Sequence, residues 1–158
     1  MTVGMTPMTA IFRLSSAALA FLLILPIDSQ AVEDNRKLVQ FPEMMQQHMM
    51  SNMRDHLRTL EEVFAELARG NADRAAEIIE ARLGMSSLGL HGAAHIAKFM
   101  PEPMQAMGTE LHHAASRFVI AVQNADIEPS EESHQAVFGA LRDVGAACNA
   151  CHSVYRIR

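Results

Sequence analysis

From Glu43 to Arg69 the apolar residues Met50, Met53, Leu57, Leu60, Phe64 and Leu67 recur three and four apart, a heptad seam that a long amphipathic helix places on one side. Pro42 stands at its start and Gly70 just past its end, the punctuation expected of a helix. A second block follows Asn71, a candidate N-cap, and runs to about Leu83 with Ala75, Ile78, Ile79 and Leu83 on its apolar face. The stretch Met85 to Met100 is poorly periodic and loosened by Gly84, Gly89 and Gly92; it reads as a long connection with one short helix around His91 to Phe99. A third block opens at Pro101-Glu102-Pro103, carries Met104, Met107, Leu111, Phe118 and Val122, and ends at Asn124 and Asp126.

Pro129 and Ser130 restart the chain, with Glu131 and Glu132 in the first turn, where negative charge is favourable. Val137, Leu141, Val144, Cys148, Cys151 and Tyr155 then alternate four and three apart, so both cysteines lie on the seam of this last block. Alanine and leucine are frequent, β-branched runs are rare and aromatics are only 5%, a mix that favours helix over strand. Four amphipathic helices with one long middle connection predict an all-α four-helix bundle, an architecture that builds cofactor sites between facing helices. A formal charge of −5 gives no sign of a nucleic-acid partner and suits an acidic surface that steers a basic redox partner.

Residues 1–31 read as a cleaved signal peptide. Arg13 gives a positive flank, Ala17 to Leu25 an apolar run, Pro26 a break, and Ser29-Gln30-Ala31 small residues at both cleavage positions. The run is too short for a comfortable membrane span, so the mature chain, 32–158, is expected to be exported with no stable span of its own. Two cysteines three apart do not staple an exported fold and need another explanation.

That explanation is Cys148-Asn149-Ala150-Cys151-His152, the C-x-x-C-H haem-attachment motif. Two thiols must reach the two vinyl groups of one porphyrin edge, and the histidine must lie under the ring with a nitrogen facing iron. Positions i, i+3 and i+4 of a helix share one face, so one turn does both. The rivals are a dithiol redox pair, which would sit near a βαβ pattern not found here, half of a zinc site, for which no standard spacing exists, and chance.

This motif a few residues from the C-terminus, followed by Tyr155-Arg156 at the end of four helical blocks, resembles the class II c-type cytochromes, the cytochrome c′ group and its low-spin relatives. The resemblance is specific at Cys148 to Arg156 and diffuse elsewhere. It implies an antiparallel four-helix bundle in the periplasm, one covalent haem c, His152 as proximal iron ligand, and frequent homodimers.

In that family the first helix covers the distal haem face. A bulky apolar residue there leaves iron open to small gases, and a methionine makes a low-spin electron carrier. Met44, Met45, Met49, Met50 and Met53 all lie in the first block. Met53 is nearest the family's distal position counted back from Gly70; Met50 comes forward if the seam is the guide, and Met49 is third. The arginine often found one turn before the distal residue is replaced by Met49 or Gln46.

Seven other histidines remain. His48 or His56 is an alternative distal ligand; His91 and His95, at i and i+4, could pair on a metal, as could His112 or His113 on the third block. The bland reading of them as exposed or capping side chains is preferred. The expected function is electron transfer without substrate conversion, with gas binding (NO, CO) at a five-coordinate iron as the alternative.

Overall fold

The computed structural model describes residues 33–158, so the expected signal segment lies outside the described residues. The described chain is mostly helical, as expected. Helix α1 spans Glu43–Ala68, α2 Ala72–Arg82, α3 Ala93–Ile96, α4 Glu102–Ile127 and α5 Glu131–His152. The poorly periodic connection resolves into α3 flanked by single 3-10 turns at Met85–Ser87 and Ala97–Phe99. No helix among the described residues is long and apolar enough to cross a membrane.

Local chemistry sets these boundaries. α1 ends because Gly70 turns left-handed, with φ of 80°. The Gly70 N–H then donates to Leu67 C=O at 3.0 Å and the Asn71 N–H to Glu66 C=O at 2.9 Å, the paired bonds of a Schellman stop. Asn71 stands at the N-cap position of α2, but its side chain makes no capping bond there. It donates instead to the Glu66 carboxylate at 2.8 Å. α5 starts at a reciprocal capping box: the Ser133 N–H donates to Ser130 Oγ at 3.0 Å and the Ser130 N–H to Ser133 Oγ at 2.9 Å.

Two short strands, which hydropathy does not reveal, join the ends of the described chain. β1 (Lys37–Val39) pairs in parallel with β2 (Tyr155–Ile157), in the register Lys37↔Tyr155 and Val39↔Ile157. Bonds from the Lys37 N–H to Val154 C=O (2.8 Å) and from the Phe41 N–H to Arg158 C=O (3.0 Å) extend the pairing at both ends. The segment entering α1 is thereby fastened to the segment leaving α5.

α1 packs on α2, α2 on α4, and α4 on α5. Their apolar faces form two clusters. One, centred on Val63, Ile79, Leu83, Phe118 and Val144, touches Cys148 at its margin. The other, built on Val39, Phe41, Met49, Ile96, Met104 and Tyr155, touches Cys151.

The buried stripe of α1 differs from the heptad seam. Met49, His56, Thr59 and Val63 are buried, whereas Met50, Leu57 and Phe64 are 41%, 70% and 54% exposed. Both stripes share the flank Met53, Leu60 and Leu67, so apolarity alone picks the wrong side. On the side that wins, Thr59 finds a partner: its Oγ1 donates to Asp55 C=O at 2.8 Å, which removes the cost of burying it.

Candidate functional site

The last turn of α5 carries Cys148, Cys151 and His152. The spacing puts all three on one side of the helix, as the motif requires. Both thiols are unpaired and half-buried, and His152 is exposed. Burial pushes both thiols above their ordinary pKa, and the neighbouring Cys151 adds to the rise at Cys148. A dithiol exchange site needs the opposite, a thiolate favoured by nearby positive charge. The protonated, half-buried pair therefore weakens the redox-pair reading.

The helix end is held from outside. The Ser153 N–H donates to Asn149 C=O at 2.9 Å and the Val154 N–H to Cys151 C=O at 3.1 Å, which closes the turn around the motif. The Arg36 guanidinium donates to His152 C=O at 3.2 Å. Together with the β1–β2 pairing, these bonds set where α1 begins relative to the motif.

Around Cys151 the apolar cluster is rich in methionine: Met49 is buried in it, as is Met104, and Met45, Met53, Met100 and Met107 pack against it. These flexible, polarisable side chains adapt to the shape of a large flat group. Two free thiols at attachment spacing, an imidazole beside them and a soft apolar lining fit haem c.

The candidates of the first helix separate. Met53 is half-buried and packs against the cluster that Cys151 touches. Met50 is turned outward and lines a surface groove with Glu43, Gln46, Gln47 and Arg54. The reason is the displaced stripe: one residue is about 100° of helix, enough to move a side chain from the inner to the outer face. Met49 is the most buried methionine of α1.

A second group of side chains lies next to this site. His56 of α1, His91 of the connection and His112 of α4 are 7%, 5% and 7% exposed. Their ring centroids stand 4.7 Å (His56–His91), 5.5 Å (His91–His112) and 6.0 Å (His56–His112) apart. His95, the alternative partner weighed for His91, is exposed and its ring packs edge-on to Phe99.

Along α1 and α4 these histidines fall where the methionine-rich cluster gives way to the larger one. His56 is pushed down to a pKa of about 4, first by burial and then by the positive charge that His91, His112 and His152 would carry. His91 is lowered by burial and by His112. Sequence alone offers each of the three as a candidate ligand but prefers to read them as exposed or capping; they are buried instead, and their grouping is not legible because they come from three separate segments.

No family model, curated protein or solved structure matches the chain.

Proposed function

We propose that this chain is an exported, periplasmic c-type cytochrome that carries electrons, with one haem c attached through Cys148 and Cys151. The observation that supports it most is the C-x-x-C-H motif on the last turn of α5, its thiols half-buried and Cys151 touching a methionine-rich cluster. When bound, haem c supplies an iron that takes up and returns one electron. α1, α2, α4 and α5 would then be the antiparallel four-helix bundle of the class II cytochromes.

Each residue has a definite task. Cys148 and Cys151 would hold the haem, each by adding its S–H across one vinyl group, which would give two thioethers and leave no free thiol. His152 would hold the iron through its imidazole. Met53, with Met49 as second candidate, would supply a thioether from α1, and a Met/His pair would raise the potential. The apolar methionine lining keeps water away and limits ligand exchange. The exposed stripe Met50, Leu57 and Phe64 on α1 supports a homodimer of the kind the resemblance implies.

The test is the absorption spectrum of the exported protein, oxidised and reduced, before and after carbon monoxide. Sharp low-spin bands that ignore carbon monoxide are expected. A broad high-spin spectrum that shifts fully with carbon monoxide would remove methionine from iron and favour gas binding instead.

A further inference from the structure

Three buried imidazoles in contact need hydrogens and lone pairs to match, and here they do not. Ser87 is fully buried, and its hydroxyl donates to Gly84 C=O at 2.7 Å. Its oxygen can therefore only accept from the rings it faces. His112 Nδ1 lies 3.3 Å from that oxygen and 2.8 Å from Leu83 C=O, both acceptors, so Nδ1 carries the hydrogen. His91 Nδ1 faces the same oxygen at 3.5 Å, a long contact of the same sense.

In the neutral state each of these two rings then has a bare lone pair at Nε2, on the edge away from Ser87. His91 Nε2 and His56 Nε2 are both buried with no hydrogen-bond partner. Leaving two such atoms buried and unmatched costs roughly 1–3 kcal/mol each. An electron-pair acceptor resolves this mismatch.

We infer that His56 and His91, with His112 as third ligand, form a binding site for one divalent transition-metal ion of the zinc and copper class, distinct from the haem site. The arrangement has the features such a site needs. Imidazole ligands hold these ions at about 2.0–2.1 Å, which puts three ring centroids roughly 5 Å apart. The observed triangle of 4.7, 5.5 and 6.0 Å is close to that.

The outer contacts are of the expected kind as well. A ligating histidine donates its other N–H to a carbonyl or similar acceptor, as His112 does to Leu83 and His91 toward Ser87. The backbone around His91 is fixed in turn: His48 Nε2 and Asn52 Nδ2 both meet His91 C=O, at 2.9 and 3.0 Å. Gly92 follows with a left-handed φ of 62°, and a Cβ there would stand 3.2 Å from His48 Nε2.

As they stand, no three His, Cys, Asp or Glu side chains among the described residues converge at metal-holding distance. Capture therefore includes a rotation of the rings about their side-chain bonds, with water completing the coordination. Neither cysteine takes part, so binding is independent of haem attachment.

Zinc titration by calorimetry tests this on two forms of the full chain: the haem-loaded protein and the Cys148→Ser/Cys151→Ser variant, which cannot hold zinc through sulfur. One zinc per chain is expected in both. His56→Ala and His91→Ala should each weaken binding by at least the roughly 10- to 100-fold that loss of an outer contact costs. His113→Ala and His134→Ala, on exposed histidines, should leave it unchanged.

If the alanine variants fail to fold, zinc-edge X-ray absorption of the unsubstituted histidine site decides. Two or three imidazole nitrogens at about 2.0 Å support the site. No stoichiometric zinc, a shell without imidazole, or unchanged affinity in folded His56→Ala and His91→Ala proteins would overturn it.

Discussion

A single residue of offset on α1 decides which methionine meets the motif. Met49 and Met53 face the cluster around Cys151, and Met50 faces out. Met50→Ala is therefore expected to leave the spectrum and its indifference to carbon monoxide unchanged. Met53→Ala, or Met49→Ala if that is the ligand, should convert the protein to a form that binds carbon monoxide, read by the shift of the reduced absorption band.

His56 makes a second prediction at this scale. Its folded pKa, about 4, lies below the ordinary 6.5, so the unfolded chain takes up the proton first. Its contribution is fully present above about pH 6.5, is lost as pH falls toward about 4, and is flat below. The total is on the order of 3 kcal/mol. His91, His112, His152 and Asp55 face the same ring, so the effect is best read as a difference. In denaturant melts with chelator present, His56→Gln should lose less stability than the parent between pH 6.5 and 4. Equal slopes would contradict the buried neutral imidazole.

At the scale of elements, helix ends rest on a few identifiable bonds. Ser130→Ala breaks the capping box of α5 and should cost about 1 kcal/mol. Gly70→Ala forces a Cβ into a left-handed turn, although nothing lies within 4 Å of it. The cost there is pure backbone strain, again about 1 kcal/mol. Chemical denaturation measures both, and a neutral Gly70→Ala would contradict the Schellman stop.

These ends were also the most legible parts of the sequence. Pro42, Gly70 and Ser130 mark real helix ends, and the apolar spacing of the later helices holds as far as Cys151, because capping and periodicity are local; Tyr155, expected on the seam of the last block, lies in β2 instead. The buried face of α1 was not, because Thr59 enters the core through a backbone bond that hydropathy does not see and His56 enters it beside two other imidazoles. The β1–β2 pairing was also hidden: three-residue strands carry almost no pattern, and their partners lie at opposite ends of the described chain. Of the candidate site, Cys148, Cys151 and His152 were legible as a motif, whereas the histidine trio needs the fold to assemble it.

For the molecule as a whole, the interior has two apolar clusters, the larger touching Cys148 and the smaller Cys151. The larger cluster is centred on Phe118, fully buried together with Ile79, Leu83, Val63 and Val144. Phe118→Ala should cost about 3–5 kcal/mol in denaturant melts. Under the proposed function it should do so without changing the haem spectrum, since Phe118 belongs to the other cluster. The methionine-rich cluster is the softer of the two and is the one next to Cys151.

The most direct test of the central claim is the intact mass of the exported protein, taken after denaturation and extraction of any loosely held cofactor. We predict a chain heavier by one haem, with no free thiol left at Cys148 or Cys151, and loss of that added mass when both cysteines are replaced by alanine. A chain of unmodified mass with two titratable thiols, made in cells shown to attach haem to a known c-type cytochrome, would contradict it.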